Sequence, residues 1–122
     1  METAFYDNQP AVFEAVGNGS YAYRWGIEQI QNQNPDETTS NKYKCFEVII
    51  WGTVTKDKVT RSVIEAKWGN GIEQKILNDY NAALMGVLDN SYIGKYHNFL
   101  TERKAIKEQI AIDCEVFNIP NE

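Results

Sequence analysis

Two cysteines, one histidine and a few neighbouring carboxylates are the side chains from which this chain could build covalent or acid–base chemistry. A reactive thiol needs a lowered pKa, supplied by nearby cations or by a helix N-terminus. Cys45 lies between Lys44 and Phe46 in an apolar stretch. Cys114 falls near the C-terminal end of a helical pattern, the wrong end of the dipole. Both read as reduced, buried thiols. His97 has no G-x-S-x-G or comparable nucleophile motif to serve, and it sits one position off an apolar stripe, so it reads as a surface or boundary histidine. Asp36-Glu37 is an acidic pair without the repeated ligands of a calcium loop, and Asp113 and Glu115 face apart on a helix. The Gly-Asn-Gly triplets at 17–19 and 69–71 lack the glycine spacing of phosphate loops and read as a hairpin turn and a helix boundary. No catalytic set, metal site or cofactor is expected.

The aromatic residues are more suggestive. Tyr21, Tyr23, Trp25, Trp51, Trp68, Tyr80, Tyr92, Tyr96 and Phe99 are many for one small core. Exposed aromatics are common anchors of binding sites. Trp25, Trp51, Trp68, Tyr92, Tyr96, Phe99 and Phe117 are the partner-binding candidates.

The elements that would position these residues can be read in order. The chain has 122 residues, 43% of them hydrophobic and 24% charged, which suits a single domain spanning 1–122 with one core. Residues 1–10 read as an entry arm. Ala11 to Val16 is a short strand, and Asn18-Gly19 supplies a two-residue hairpin turn. Beyond it Tyr21, Tyr23, Trp25 and Ile27 alternate with Ala22, Arg24, Gly26 and Glu28, which predicts a half-buried strand over 21–30. Residues 31–42 are polar and read as a loop. A third strand follows at 43–54, where Val48-Ile49-Ile50-Trp51 is apolar on both faces and points to a covered, central position.

Residues 56–68 fit either a fourth strand or a helix. Val59, Val63 and Ala66 at spacings of four and three, with Thr55 as cap, favour the helix. Asn70 to Glu73 resembles a capping box and opens a helix over 71–88, with Ile72, Ile76, Tyr80, Leu84 and Leu88 in one stripe. A short turn at 89–91 sends the last helix, 91–117, back antiparallel. It outreaches its partner, so Ile110, Cys114 and Phe117 must dock on the chain's own sheet or on a second chain. The expected class is therefore α+β: a three-stranded antiparallel meander, then three helices, the last two a hairpin.

Net charge is −5, with the acidic excess concentrated before residue 56. That disfavours nucleic acid and anionic membranes as partners. No apolar run reaches the length of a membrane span, and the first residues lack the order of a secretory signal.

The stretch Gly17-Asn18-Gly19-Ser20-Tyr21-Ala22-Tyr23-Arg24-Trp25 resembles one in small uncharacterised prophage proteins of gut Bacteroidales. Val59 through Trp68, Glu73-Gln74-Lys75, Asn78 through Ala83 and Tyr96 through Ile110 are similar to the same group. Those proteins tend to be encoded near tail and tail-fibre genes, and the strands-then-helices layout also resembles tail-fibre assembly chaperones. The resemblance implies a non-enzymatic structural or assembly protein of a phage, binding a tail or fibre protein and acting in the bacterial cytoplasm or in the particle. A homo-oligomer fits the long last helix. The alternative is a small intracellular adaptor or inhibitor of a host protein, such as an anti-defence factor.

Overall fold

A computed structural model describes residues 2–33 and 39–122. Four strands, β1 (Glu2–Tyr6), β2 (Phe13–Gly17), β3 (Ser20–Gln33) and β4 (Thr39–Trp51), precede three helices, α1 (Lys56–Trp68), α2 (Ile72–Leu84) and α3 (Ser91–Val116). The sheet is antiparallel throughout, in the order β1-β4-β3-β2. The α+β class stands, with one more strand than the sequence pattern gives. Residues 2–6 are an edge strand rather than part of an entry arm, pairing Glu2 with Glu47 through Tyr6 with Tyr43. Backbone pairing to the free edge of β4 needs no apolar run, so a short mixed segment carries little signal of it.

The same reason corrects the loop expected over 31–42. β3 continues to Gln33 and β4 begins at Thr39, with polar residues paired from Glu28–Lys44 out to Gln33–Thr39. Asp36-Glu37 lies outside the described residues. β2 spans 13–17 rather than 11–16, and β4 ends at Trp51 rather than 54.

The β2–β3 turn is as expected. Asn18 and Gly19 both adopt positive φ, 54° and 75°, the conformation of a type I′ turn. The alternation along β3 breaks at Gly26 (φ 62°), where two residues oppose one between the Trp25–Phe46 and Glu28–Lys44 pairs. This bulge resets the faces, so Glu28 and not Ile27 follows Trp25 on its side of the sheet.

Tyr23, Val48 and Ile50 on that side meet Val59 and Val63 of α1 and Ile110 and Cys114 of α3 in one buried cluster. Their spacings, four residues on each helix, put both pairs on single helix faces. The C-terminal half of α3 therefore docks on its own sheet, the first of the two options open from the sequence. The opposite face carries no helix at Ile49 and Trp51, and Trp51 is 62% exposed. β4 is central, but it is covered on one side only along this run.

Residues 56–68 are helical, and Thr55 caps them, its Oγ1 accepting from the Lys58 N–H at 3.1 Å. The next two free N–H groups, of Lys56 and Asp57, donate to the carbonyls of Pro120 and Asn121 at 2.8 and 3.3 Å. The C-terminal tail thus satisfies the start of α1. Thr55→Ala is expected to cost about 1 kcal/mol in urea unfolding, the usual worth of such a cap. A loss below about 0.3 kcal/mol would show that the tail alone holds this end.

α2 starts at Gly71 and not through Asn70, which itself has φ 57° and offers no side-chain cap. Glu73 instead reaches Arg103 of α3 at 3.3 Å. α2 also stops at Leu84, four residues short of the expected end, where the Met85 and Val87 N–H groups close back on Asn81 and Ala82. α2 packs mainly on α3, and α3 in turn reaches α1 and the sheet. Among the described residues no helix is long and apolar enough to cross a membrane.

Candidate functional site

The structure sorts the aromatic candidates into two rows and one outlier. Across the sheet, Phe117, Phe13, Tyr23, Trp25 and Phe46 follow one another at centroid distances of 5.6, 4.8, 5.4 and 5.8 Å. Register explains this row, because Phe13, Tyr23, Trp25 and Phe46 all occupy helix-facing positions of neighbouring strands. Across the helices, Tyr80, Tyr96, Phe99 and Trp68 follow at 4.3, 6.0 and 5.0 Å. This second row joins α2 to α1 through α3. Trp68 is only 8% exposed and packs edge-on against Phe99, between α1 and α3. Tyr92 is half-buried beneath the Lys95 ammonium, 4.4 Å from its ring centre. Trp51 belongs to neither row and stands in solvent.

The groups capable of chemistry stay apart. Cys45 pairs with Ala4 on the helix-free face, whereas Cys114 lies in the core on the other face, so the sheet separates the two thiols. Burial raises both thiol pKa values, helped by the charge of Glu47 at Cys45 and of Asp113 at Cys114. Both thiols are therefore protonated and poor nucleophiles. His97 is exposed on α3, and its carbonyl accepts from Thr101 at 2.9 Å. The hollow beside Cys114 is lined by Lys56 and Glu115 but not by His97.

Two polar arrangements escaped the sequence. Arg24, 3% exposed, lies on the helix-free face and donates to Glu47 at 2.6 Å, to Glu14 at 2.9 Å and to the Ala11 carbonyl at 3.1 Å. Its guanidinium also lies 4.7 Å from the ring centre of Tyr6, whose hydroxyl donates to Glu47. All four strands meet at this one cation. Burial works against the charge of Arg24, but the bonds to Glu47 and Glu14 outweigh it and hold its pKa above the usual value. Burial likewise opposes the Glu47 carboxylate, and the Tyr6 and Arg24 bonds prevail, lowering its pKa. Burial and the bond to Glu47 raise that of Tyr6. On the other face the Tyr23 hydroxyl donates to Asp113 at 2.5 Å, and burial together with that carboxylate keeps the phenol protonated. Asp113 thus ties α3 to β3. Residue 24 alternates with aromatic neighbours as a solvent-facing residue would, so its pattern hides its burial.

Besides the hollow at Cys114, three openings touch the aromatic rows. A cleft of about 180 Å³ is bounded by Tyr23 and Trp25 of β3, Val63 of α1, and Glu102, Ala105, Ile106, Gln109 and Ile110 of α3. A broader groove of about 620 Å³ lies by the β2–β3 turn, between Phe13, Tyr21, Val54 and Ile119. The third, about 240 Å³, runs between α2 and α3 beside Leu77, Tyr96, Phe99 and Leu100.

The end of the helical hairpin is apolar and bare. Leu84 is exposed, and Met85 and Val87 are 81% and 76% exposed. The stripe at intervals of four predicts Leu84 on the packed face of α2, yet it is 56% exposed. α2 ends at Leu84, and Met85 and Val87 follow in the connection to α3. No family model, curated protein or solved structure matches the chain.

Proposed function

We propose that the protein acts without catalysis, by gripping another protein through the tip of the α2–α3 hairpin, and that its partner is a phage tail or tail-fibre component. The observation that carries the binding reading is the run Leu84, Met85 and Val87, uncovered at the end of a hairpin whose α2 packs mainly on α3. Contiguous exposed apolar side chains favour burial against a partner, and methionine adapts its shape to the surface it meets. The likeness of residues 17–25, 59–68, 73–75, 78–83 and 96–110 to prophage proteins supports the class of partner.

Co-expression with the tail and tail-fibre proteins of the same genome, followed by calorimetric titration of the purified pair, tests this. Met85→Asp with Val87→Asp is expected to weaken the complex about tenfold or more, with stability held within about 0.5 kcal/mol, as for exposed positions. Undiminished binding by that double variant, or no binding to any tail or fibre protein, overturns the reading. Capture of a basic host protein instead would favour the adaptor or inhibitor role, which the net charge of −5 would assist.

A further inference from the structure

We infer that the outer edge of β3 beyond Trp25 binds a second copy of this chain, strand to strand and antiparallel, a function separate from the hairpin tip. β2 covers this edge only as far as the Phe13–Tyr23 pair, with one further bond from the Arg24 N–H to the Val12 carbonyl at 2.8 Å. Past the bulge at Gly26, β3 pairs with β4 without a break from Glu28–Lys44 to Gln33–Thr39. Among the described residues no strand lies on its other side there. The register fixes which main-chain groups are left open. The Arg24 N–H turns toward β2, so Tyr23 and Trp25 turn theirs toward Val48 and Phe46. Lys44 is two residues from Phe46 and also faces β3, which makes Glu28 and Ile30 the inward residues. Gln29 and Gln31 therefore present their N–H and C=O groups outward.

Proteins usually guard such an edge with lysine, proline or a very short strand. From Gly26 to Gln31 this one carries a single charge, Glu28, and neither lysine nor proline. The fitting occupant is the same segment of another copy. A two-fold axis at Ile30 sets Gln29 against Gln31 of the second copy, and each such pair exchanges both main-chain bonds. Ile30, half-buried in one copy, meets Ile30 of the other at a position where side chains approach closely. The charges also fit. The two Glu28 residues are four positions out of register, about 14 Å apart at 3.4 Å per residue, beyond the ~8–10 Å over which exposed charges act. No like charges oppose one another along the run, although each copy carries −5 overall. A foreign strand would close one edge, whereas the two-fold pair closes both and joins two four-stranded sheets into one.

Sedimentation equilibrium of the full chain from roughly 10 µM to 1 mM, the range suited to an interface this small, is expected to show monomer and dimer in exchange. Over the same series, amide hydrogen exchange should slow at Gln29 and Gln31, while Glu28 and Ile30, already bonded to β4, stay constant. Gln29→Lys guards the edge without removing a main-chain group and should weaken association about tenfold or more. Gln29→Pro deletes one outward N–H and should do the same. A chain that stays monomeric at every concentration overturns the inference, and so does a folded Gln29→Lys protein that associates as tightly as the wild type. A dimer whose Gln29 and Gln31 amides exchange at the monomer's rate overturns it whether or not either variant folds. Protection of those amides only on adding a tail or fibre protein assigns the edge to a foreign strand, which also overturns it and leaves the tip to its own double variant.

Discussion

Replacing Arg24 with methionine is expected to lower the free energy of unfolding by about 3–5 kcal/mol, the usual cost of leaving a buried charge without its partner. The group left behind is Glu47, whose side chain is 20% exposed and would keep only the Tyr6 hydroxyl. Glu14 contributes less, because it is half in water and can rehydrate. Combining Arg24→Met with Glu47→Gln should restore a large part of the loss, since the stranded charge is then gone. Urea unfolding of the two single variants and the double variant measures this coupling. A double variant that loses the full sum of the singles would show that the guanidinium acts through packing alone. Arg24→Lys is not a conservative change here, because one ammonium cannot span Glu47, Glu14 and the Ala11 carbonyl as the planar fork does.

The same pair sets a pH dependence. Glu47 holds a pKa below 4.5 in the folded protein, and the unfolded chain binds its proton more readily. The stabilisation is therefore complete at neutral pH and is lost as pH falls below about 4.5 through the folded value. Urea midpoints from about pH 7 down to about pH 3 should fall more steeply for the wild type than for Glu47→Gln. Equal slopes would count against a stabilised carboxylate at this position.

Tyr23→Ala is expected to be comparably severe, at about 3–5 kcal/mol, because the ring is wholly buried where β3, α1 and α3 meet. That is a large share of the 5–15 kcal/mol on which a domain of this size stands. Tyr23→Phe isolates the hydroxyl. It keeps the stack with Phe13 and Trp25 and removes only the bond to Asp113, for an expected loss of roughly 1.5 kcal/mol. Asp113 retains the bond from Gln109 and some contact with water, which keeps the cost at the lower end. Thermal and urea melts of both variants check the ratio. A phenylalanine variant as damaged as the alanine one would make the Asp113 bond, rather than the ring, the chief tie between α3 and the sheet.

Local features were legible because neighbouring residues decide them. Asn18-Gly19 favours positive φ whatever lies elsewhere, and the hydroxyl of Thr55 reaches an N–H three residues away. The spacing of Val59 and Val63 marks one helix face without knowledge of what it covers. The same holds for the long last helix and for its docking residues Ile110 and Cys114. Of the candidate aromatics, the pattern could name Trp25, Trp51, Tyr92, Tyr96, Phe99 and Phe117 as large and Trp68 as one more. It could not say that Trp68 is enclosed and Trp51 bare, since exposure depends on what another element covers.

What only the tertiary structure decided shares one physical origin: it rests on partners far along the chain or on backbone bonds that side chains do not advertise. β1 exists because β4 offers a free edge far along the chain, where Tyr6 pairs with Tyr43 and its hydroxyl reaches Glu47, 41 residues away. The polar ends of β3 and β4 pair through main-chain groups, and the bulge at Gly26 shifts faces without altering the alternation that the sequence displays. Arg24 is polar by type and buried by position, matched to Glu47 across 23 residues, as Tyr23 is to Asp113 across 90. The amino-acid sequence by itself determined the β2–β3 turn, the Thr55 cap and the α1 face, where each energy is settled within a few residues. The sheet edge, the buried charge and the Tyr23–Asp113 tie were settled by the fold, because each needs surfaces that meet only when the chain has closed.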